Sequence, residues 1–97
     1  MKDEIKTVIQ EIIYLLSVHN ERAWADQFAY LKEKLNADYR ETLALLASMF
    51  GGAGTFNDVI LHKDGWPLKE ENQALVALKS KLYKLVKEAS EDDASAS

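Results

Sequence analysis

Apolar residues recur at intervals of three and four positions in four stretches of the chain, the spacing of an α-helix that buries one face. The first predicted helix runs from Asp3 to about Val18. Asn20 is suited to cap the second, which ends at Asn36. Their apolar stripes consist of Ile5, Val8, Ile9, Ile12, Leu15 and Leu16 in the first helix and Trp24, Phe28, Leu31 and Leu35 in the second.

The third and fourth predicted helices carry the same pattern. Asp38 is suited to cap the third helix, and Gly51-Gly52 ends it. The fourth begins between Pro67 and Lys69, because proline fits a first helical turn, and it ends near Ala89. The pattern therefore predicts an all-α fold, a compact bundle of about four helices.

A long, glycine-rich connection from Gly51 to Trp66 separates the third helix from the fourth. Thr55 and Asp58 match a capping box, which favours a short helix over Phe56 to Leu61, although the apolar run at its end also suits an extended segment. Asp64-Gly65 is then predicted to form a turn.

Composition limits the chain to one domain. With 97 residues, 47% of them hydrophobic, it can bury one modest core, predicted over residues 1–89, while the small and acidic residues 90–97 predict a disordered tail. Absence of cysteine excludes disulfides, thiolate metal sites and cysteine nucleophiles. No long apolar run or signal-like N-terminus is evident, so we expect a cytoplasmic protein without a membrane partner.

The formal net charge of −4 is concentrated in the tail. Glu91, Asp92 and Asp93 account for three of the 16 acidic residues, which leaves 13 acidic against 12 basic residues in the body. A nearly neutral body lacks the dense basic surface of nucleic-acid-binding proteins, so no nucleic-acid partner is expected.

The glycine-rich segment could suggest a phosphate-binding loop, but no preceding strand and no following Gly-Lys-Ser/Thr support one. A structural role is favoured, in which Gly51 and Gly52 stop the helix and Gly54 makes a tight turn. Thr55 would then cap the next segment, and the Phe56 side chain would pack into the core. We therefore expect no cofactor.

A metal site or a catalytic pair would have to use the few histidines and carboxylates of the chain. His19 and His62 are 43 positions apart, and Asp58 and Asp64 are more typical of capping or turn positions. His19 is expected at a helix end. No catalytic residue or metal ligand is assigned, and the chain is not expected to be an enzyme.

Some aromatic side chains lie off the predicted apolar stripes. Tyr14 and Tyr30 point away from theirs, and Val76 and Tyr83 align on a second flank of the fourth helix. Two explanations stay open for that flank. Either the long connection, for example through Trp66, covers it, or it is a tyrosine-containing patch that binds a partner.

The segment Phe50-Gly51-Gly52-Ala53-Gly54-Thr55-Phe56-Asn57-Asp58 resembles a family of small bacterial all-helical domains of unknown function, with Ala53 at a variable position. The resemblance extends over residues 5–87 and brings no catalytic residues. Proteins of this kind are similar to immunity proteins of bacterial toxin systems, including contact-dependent growth inhibition, which bind and block one cognate toxin.

The resemblance and the off-stripe aromatics together favour a binding protein that occludes the active site of a cognate protein toxin. The expected partner-binding residues are Tyr30, Asn57, Asp58, Val76 and Tyr83. One alternative is a homodimeric structural or adaptor domain that buries the Val76 and Tyr83 flank against its own copy. A less favoured alternative is an enzyme or small-ligand site between Gly51 and Asp58.

Overall fold

The computed structural model describes residues 1–50, 56 and 59–96, with side chains up to residue 92. Four helices form the bundle: α1 (Lys2–Val18), α2 (Arg22–Ala37), α3 (Tyr39–Ser48) and α4 (Lys69–Ala96). Two short strands, β1 (His62–Lys63) and β2 (Trp66–Pro67), make an antiparallel hairpin before α4. The predicted all-α fold of about four helices is confirmed.

The core lies between α1 and the helices that contact it. α1 packs against α2 and α4, and α3 closes the bundle by packing against the same two helices. Five of the six residues predicted for the α1 stripe are fully buried: Ile5, Val8, Ile9, Ile12 and Leu16. Leu75, Leu82 and Leu85 of α4 complete the opposite wall, so helical periodicity identified the buried faces correctly.

The turn between α1 and α2 differs from the prediction. Asn20 does not cap α2; it adopts a left-handed conformation with φ of 65° after His19, the last half-helical residue of α1. Its backbone N–H donates to the Ser17 carbonyl, and the Glu21 N–H donates to the Leu16 carbonyl at 2.9 Å. These two bonds make a Schellman ending of α1, in which asparagine tolerates the positive φ better than most residues do.

The cap of α3 is confirmed. The Glu41 backbone N–H donates to the Asp38 carboxylate at 3.2 Å, and this bond is the main reason that the pKa of Asp38 is lowered. Lys34 at the end of α2 donates to the Glu41 carboxylate at 3.1 Å, which raises the pKa of Lys34. Residues 34–41 therefore join α2 to α3 through a small network of charged groups.

The Asp38 cap should make stability depend on acid pH. Because its pKa is lowered on folding, its stabilising effect is complete above about pH 5 and is lost as the pH falls through the folded-state value, below about pH 4. Asparagine caps a helix without titrating. We expect thermal unfolding between about pH 5 and pH 2.5 to show a smaller loss of stability for Asp38→Asn than for the natural protein; equal losses would contradict this.

The described part of the connection before α4 contains one 3₁₀-helical position, Phe56, and then a hairpin. The Val59 N–H donates to the Phe56 carbonyl at 3.1 Å, as in a single turn of 3₁₀ helix. The expected short helix over 56–61 is wrong for residues 59–61, because the strand pairing that begins at His62 leaves Leu61 extended and buried. Asp64 and Gly65, with φ of 53° and 84°, form the two-residue turn that the sequence predicted. Positive φ at both positions is typical of the type I′ turn, which explains the glycine.

Two helix ends also differ from the prediction. α3 ends at Ser48, before Phe50, and the expected stop at Gly51-Gly52 lies outside the described residues. α4 begins at Lys69, since Pro67 belongs to β2, and it continues to Ala96 instead of ending near Ala89. Alanine, glutamate and serine tolerate a helix without apolar periodicity, so the pattern could not mark this end. The disorder expected of residues 90–97 stays a prediction.

Candidate protein-binding surface

The chain that follows the glycine-rich segment is fixed to the core by Phe56. This side chain is fully buried and packs edge-to-face on Phe28, with ring centroids 4.5 Å apart. The Trp24 and Phe50 rings lie 5.4 Å and 6.5 Å from it. Aromatic groups from α2 and from the residues after α3 therefore surround one residue of the connection. This agrees with the prediction that Phe56 packs into the core.

Asn72, in the first turns of α4, holds the connection at a second point. Its side-chain amide donates to the Leu61 carbonyl at 2.9 Å, and its Oδ1 accepts from the Leu61 N–H at 2.7 Å. The amide thus pairs with both backbone groups of one residue, as a neighbouring strand would. The Leu68 N–H donates to the same Leu61 carbonyl at 3.0 Å, which closes the base of the hairpin.

Lys79 holds the connection at a third point. Its side chain is buried, and its Nζ donates to the Val59 carbonyl at 3.0 Å. The same Nζ lies 5.0 Å from the centre of the Phe56 ring, within range of a cation–π interaction. Neither Lys79 nor Asn72 was predicted from the sequence to hold the connection. A signal was present for Lys79, which lies four positions after Leu75 and three before Leu82, on the buried side of α4.

Next to the side that carries Lys79, α4 presents an exposed apolar surface. Val76 and Tyr83 are 59% and 48% exposed, and together with Phe50 they line an open cleft of about 310 Å³. The Tyr83 ring packs edge-to-face on Phe50 at 5.5 Å, so one side of it is supported while the other faces solvent. We call Val76, Ser80, Tyr83 and Lys87, with Phe50, the α4 face.

A further depression lies at each end of this cleft. Val76 also lines a depression beside Pro67 and Gln73, and Tyr83 also lines one that α4 shares with Ala47 of α3. At 1.5 Å per residue, the stretch of α4 from Val76 to Lys87 is about 17 Å long. The three depressions therefore lie in a row along the helix axis, and we call them together the groove.

The structure brings together only part of the expected partner-binding set. Val76 and Tyr83 share the α4 face, whereas Tyr30 lies on α2, 61% exposed, and does not line the groove. Trp66, expected as one cover of this flank, is itself 77% exposed and does not line the groove either. The remaining expected residues lie outside the described part of the chain: Gly51, Gly52, Gly54, Thr55, Asn57 and Asp58.

Groups considered for metal binding lie in separate parts of the fold. His19 follows α1, as expected of a residue at a helix end, while His62 and Asp64 belong to the hairpin. Within the described ranges, no group of three or more histidine and acidic side chains is placed to hold a metal ion. None of the helices in the described part is both long and apolar enough to cross a membrane.

The fold and the α4 face define a small helical domain whose glycine-rich connection is anchored on its last helix. Residues 17–69 match a family described as a domain of unknown function, DUF6966, and the match covers more than half of the chain. The chain belongs to this family. No curated protein and no solved structure matches it.

The family match is narrower than the resemblance inferred from the sequence. It contains α2, α3, the glycine-rich segment and the hairpin, and it ends at the first residue of α4. The matched region therefore includes the anchored residues Phe56, Val59 and Leu61, while their anchors Asn72 and Lys79 and most of the α4 face lie beyond it.

Proposed function

We propose that this domain acts by binding another protein and blocking it, as an immunity protein does with its toxin. The proposal rests on the α4 face, where Val76 and Tyr83 are exposed beside Phe50 in one groove. Adjacent exposed apolar and tyrosine side chains are enriched where proteins bind one another. In this proposal the domain acts by occlusion and performs no catalysis.

Tyr83 is the best-placed anchor on this face. Its ring is held against Phe50 at 5.5 Å, which restricts its rotamers before any partner arrives. A pre-ordered aromatic side chain loses little conformational entropy on binding, and for this reason tyrosine often dominates interface energies. Asn57 and Asp58, which follow the anchored Phe56 in the connection, would add polar contacts. Tyr30 would contribute only to a partner that also reaches α2.

The test is a capture experiment with matched variants. The protein serves as bait in a lysate of its source organism, and bound proteins are identified by mass spectrometry. Val76→Glu places a charge in the groove on an exposed, helix-compatible position, and we expect it to weaken capture of a specific partner by more than about tenfold. Tyr14→Glu is the control, since Tyr14 is 69% exposed on α1 and does not line the groove.

Two further measurements separate inhibition from other kinds of binding. Light scattering should give a one-to-one complex with the captured protein. Cells that express the partner alone should stop growing, and co-expression of the natural protein, but not of Val76→Glu, should restore growth. Capture that both glutamate variants retain equally would contradict the proposed face. A bait that associates only with itself would favour the homodimeric adaptor instead.

A further inference from the structure

The charges around the α4 face are unevenly distributed. From Asn72 to Lys87, α4 contains four lysines and no acidic residue. Lys79 is buried against the connection, whereas Lys84 and Lys87 are exposed. At 100° per residue, Lys87 lies on the same side of the helix as Tyr83, one turn further on, and Lys84 lies on its flank.

Among the described residues, the elements that pack against the groove offset these lysines only in part. The part of α3 beside it, from Thr42 to Ser48, contains no charged residue. At the start of the groove lies Lys69, and Glu91 is the one acidic side chain among the described residues that line it. The protein has a formal net charge of −4, but screening over about 8 Å at physiological salt gives the nearest charged groups the largest effect. Among the described residues along this side of α4, Lys69, Lys84 and Lys87 outnumber Glu88 and Glu91.

From this arrangement we infer that the partner inserts an acidic amphipathic helix into the α4 face. This inference rests on the proposed function and adds the chemistry of the partner. An apolar stripe would pack on Val76, Tyr83 and Phe50, and flanking aspartate or glutamate side chains would lie near Lys84 and Lys87. A helix suits the groove because it satisfies its own backbone hydrogen bonds, which an apolar groove between two helices cannot do.

Two synthetic helical peptides provide the probe. They share one leucine stripe and differ only in their flanking residues, glutamate in one and lysine in the other. The natural protein, labelled with ¹⁵N, is titrated with each peptide and its amide shifts are recorded. We expect shifts centred on Val76, Ser80 and Tyr83 and about tenfold tighter binding of the acidic peptide, since exchanging two exposed ion pairs for repulsions changes binding by roughly that factor.

A charge-matched pair of variants tests the origin of this preference. Lys84→Gln/Lys87→Gln should reduce the preference for the acidic peptide to less than about threefold. Arg22→Gln/Lys63→Gln removes the same charge from α2 and the hairpin, at exposed positions that do not line the groove, and should leave the preference unchanged. Raising the salt concentration should weaken binding of the acidic peptide in the natural protein.

Several results would overturn the inference. These are equal binding of the two peptides, shifts centred elsewhere, and the absence of shifts with either peptide. Shifts of the same residues on concentrating the protein alone would identify a second copy as the occupant. The failure of this inference is separable from that of the proposed function. If Val76→Glu abolishes capture of a partner while the peptides bind equally, only the acidic chemistry of the partner is wrong.

Discussion

Replacing Phe56 with alanine should lower the free energy of unfolding by about 3–5 kcal/mol. Phe56 is fully buried, and its ring contacts Phe28 and Trp24 of α2 as well as Phe50. Truncation would leave a cavity whose walls belong to separate elements, so the site cannot collapse without moving a helix. Urea unfolding followed by circular dichroism gives the difference directly.

Two variants make the Phe56 experiment decisive. Tyr14→Ala removes an aromatic ring that is 69% exposed, and we expect a change within about 0.5 kcal/mol. Phe56→Leu keeps most of the apolar volume and should fall between the two. If the Phe56→Ala protein were as stable as the Tyr14→Ala protein, the buried Phe56 side chain would not be what holds the connection to the core.

Replacing Asn72 with alanine is the second change with a large expected effect. It removes both hydrogen bonds to Leu61 and leaves a partly buried N–H without its acceptor. Such losses cost about 1–3 kcal/mol. Alanine is a better helix former than asparagine by up to about 0.7 kcal/mol, which offsets part of the loss. With the full offset we expect a net destabilisation of about 0.3–2.3 kcal/mol in urea unfolding.

The neighbouring residue offers the matched control. Gln73 is exposed on α4, and Gln73→Ala truncates a neighbouring amide side chain without touching Leu61, with a smaller gain in helix propensity than Asn72→Ala because glutamine is the better helix former. Hydrogen exchange adds a local readout, because the Leu61 amide is protected by the Asn72 side chain. Exchange of this amide should accelerate in Asn72→Ala and not in Gln73→Ala. If the two variants exchange and unfold alike, the connection is held by other contacts.

Periodicity predicted the helices because each buries a regular stripe, as in α1, and the Asp38 cap and the Asp64-Gly65 turn followed from local chemistry. Asn20 was assigned wrongly since asparagine suits both a helix start and a left-handed helix end. Only the packing of the two helices decides between these roles. The end of α4 was missed because residues 90–96 carry no apolar pattern.

The candidate site could be predicted only in part, because some of its contacts depend on how the connection packs on α4. Val76 and Tyr83 could be placed on one flank from the helical angle alone, and they share a groove in the structure. The functions of Asn72 and Lys79 depend on backbone groups of residues 59 and 61, which lie far away in sequence and on no regular element. The sequence does not show which polar side chain of a helix will reach a distant backbone group. Contacts of this kind can therefore be identified only from the three-dimensional structure.

A series of aromatic rings connects the α4 face with the centre of the core. It runs from Tyr83 through Phe50 and Phe56 to Phe28, with centroid separations of 5.5, 6.5 and 4.5 Å. Substitutions within this series would therefore change the packing of the core and the shape of the α4 face together.

The neighbouring residues Val76, Ser80, Lys84 and Lys87 are exposed on α4 and make none of these ring contacts. The α4 face therefore combines an aromatic centre that is coupled to the core with a border of side chains that can be exchanged at little cost in stability. Under the proposed binding function, exchanges in this border would alter partner choice while the fold is kept.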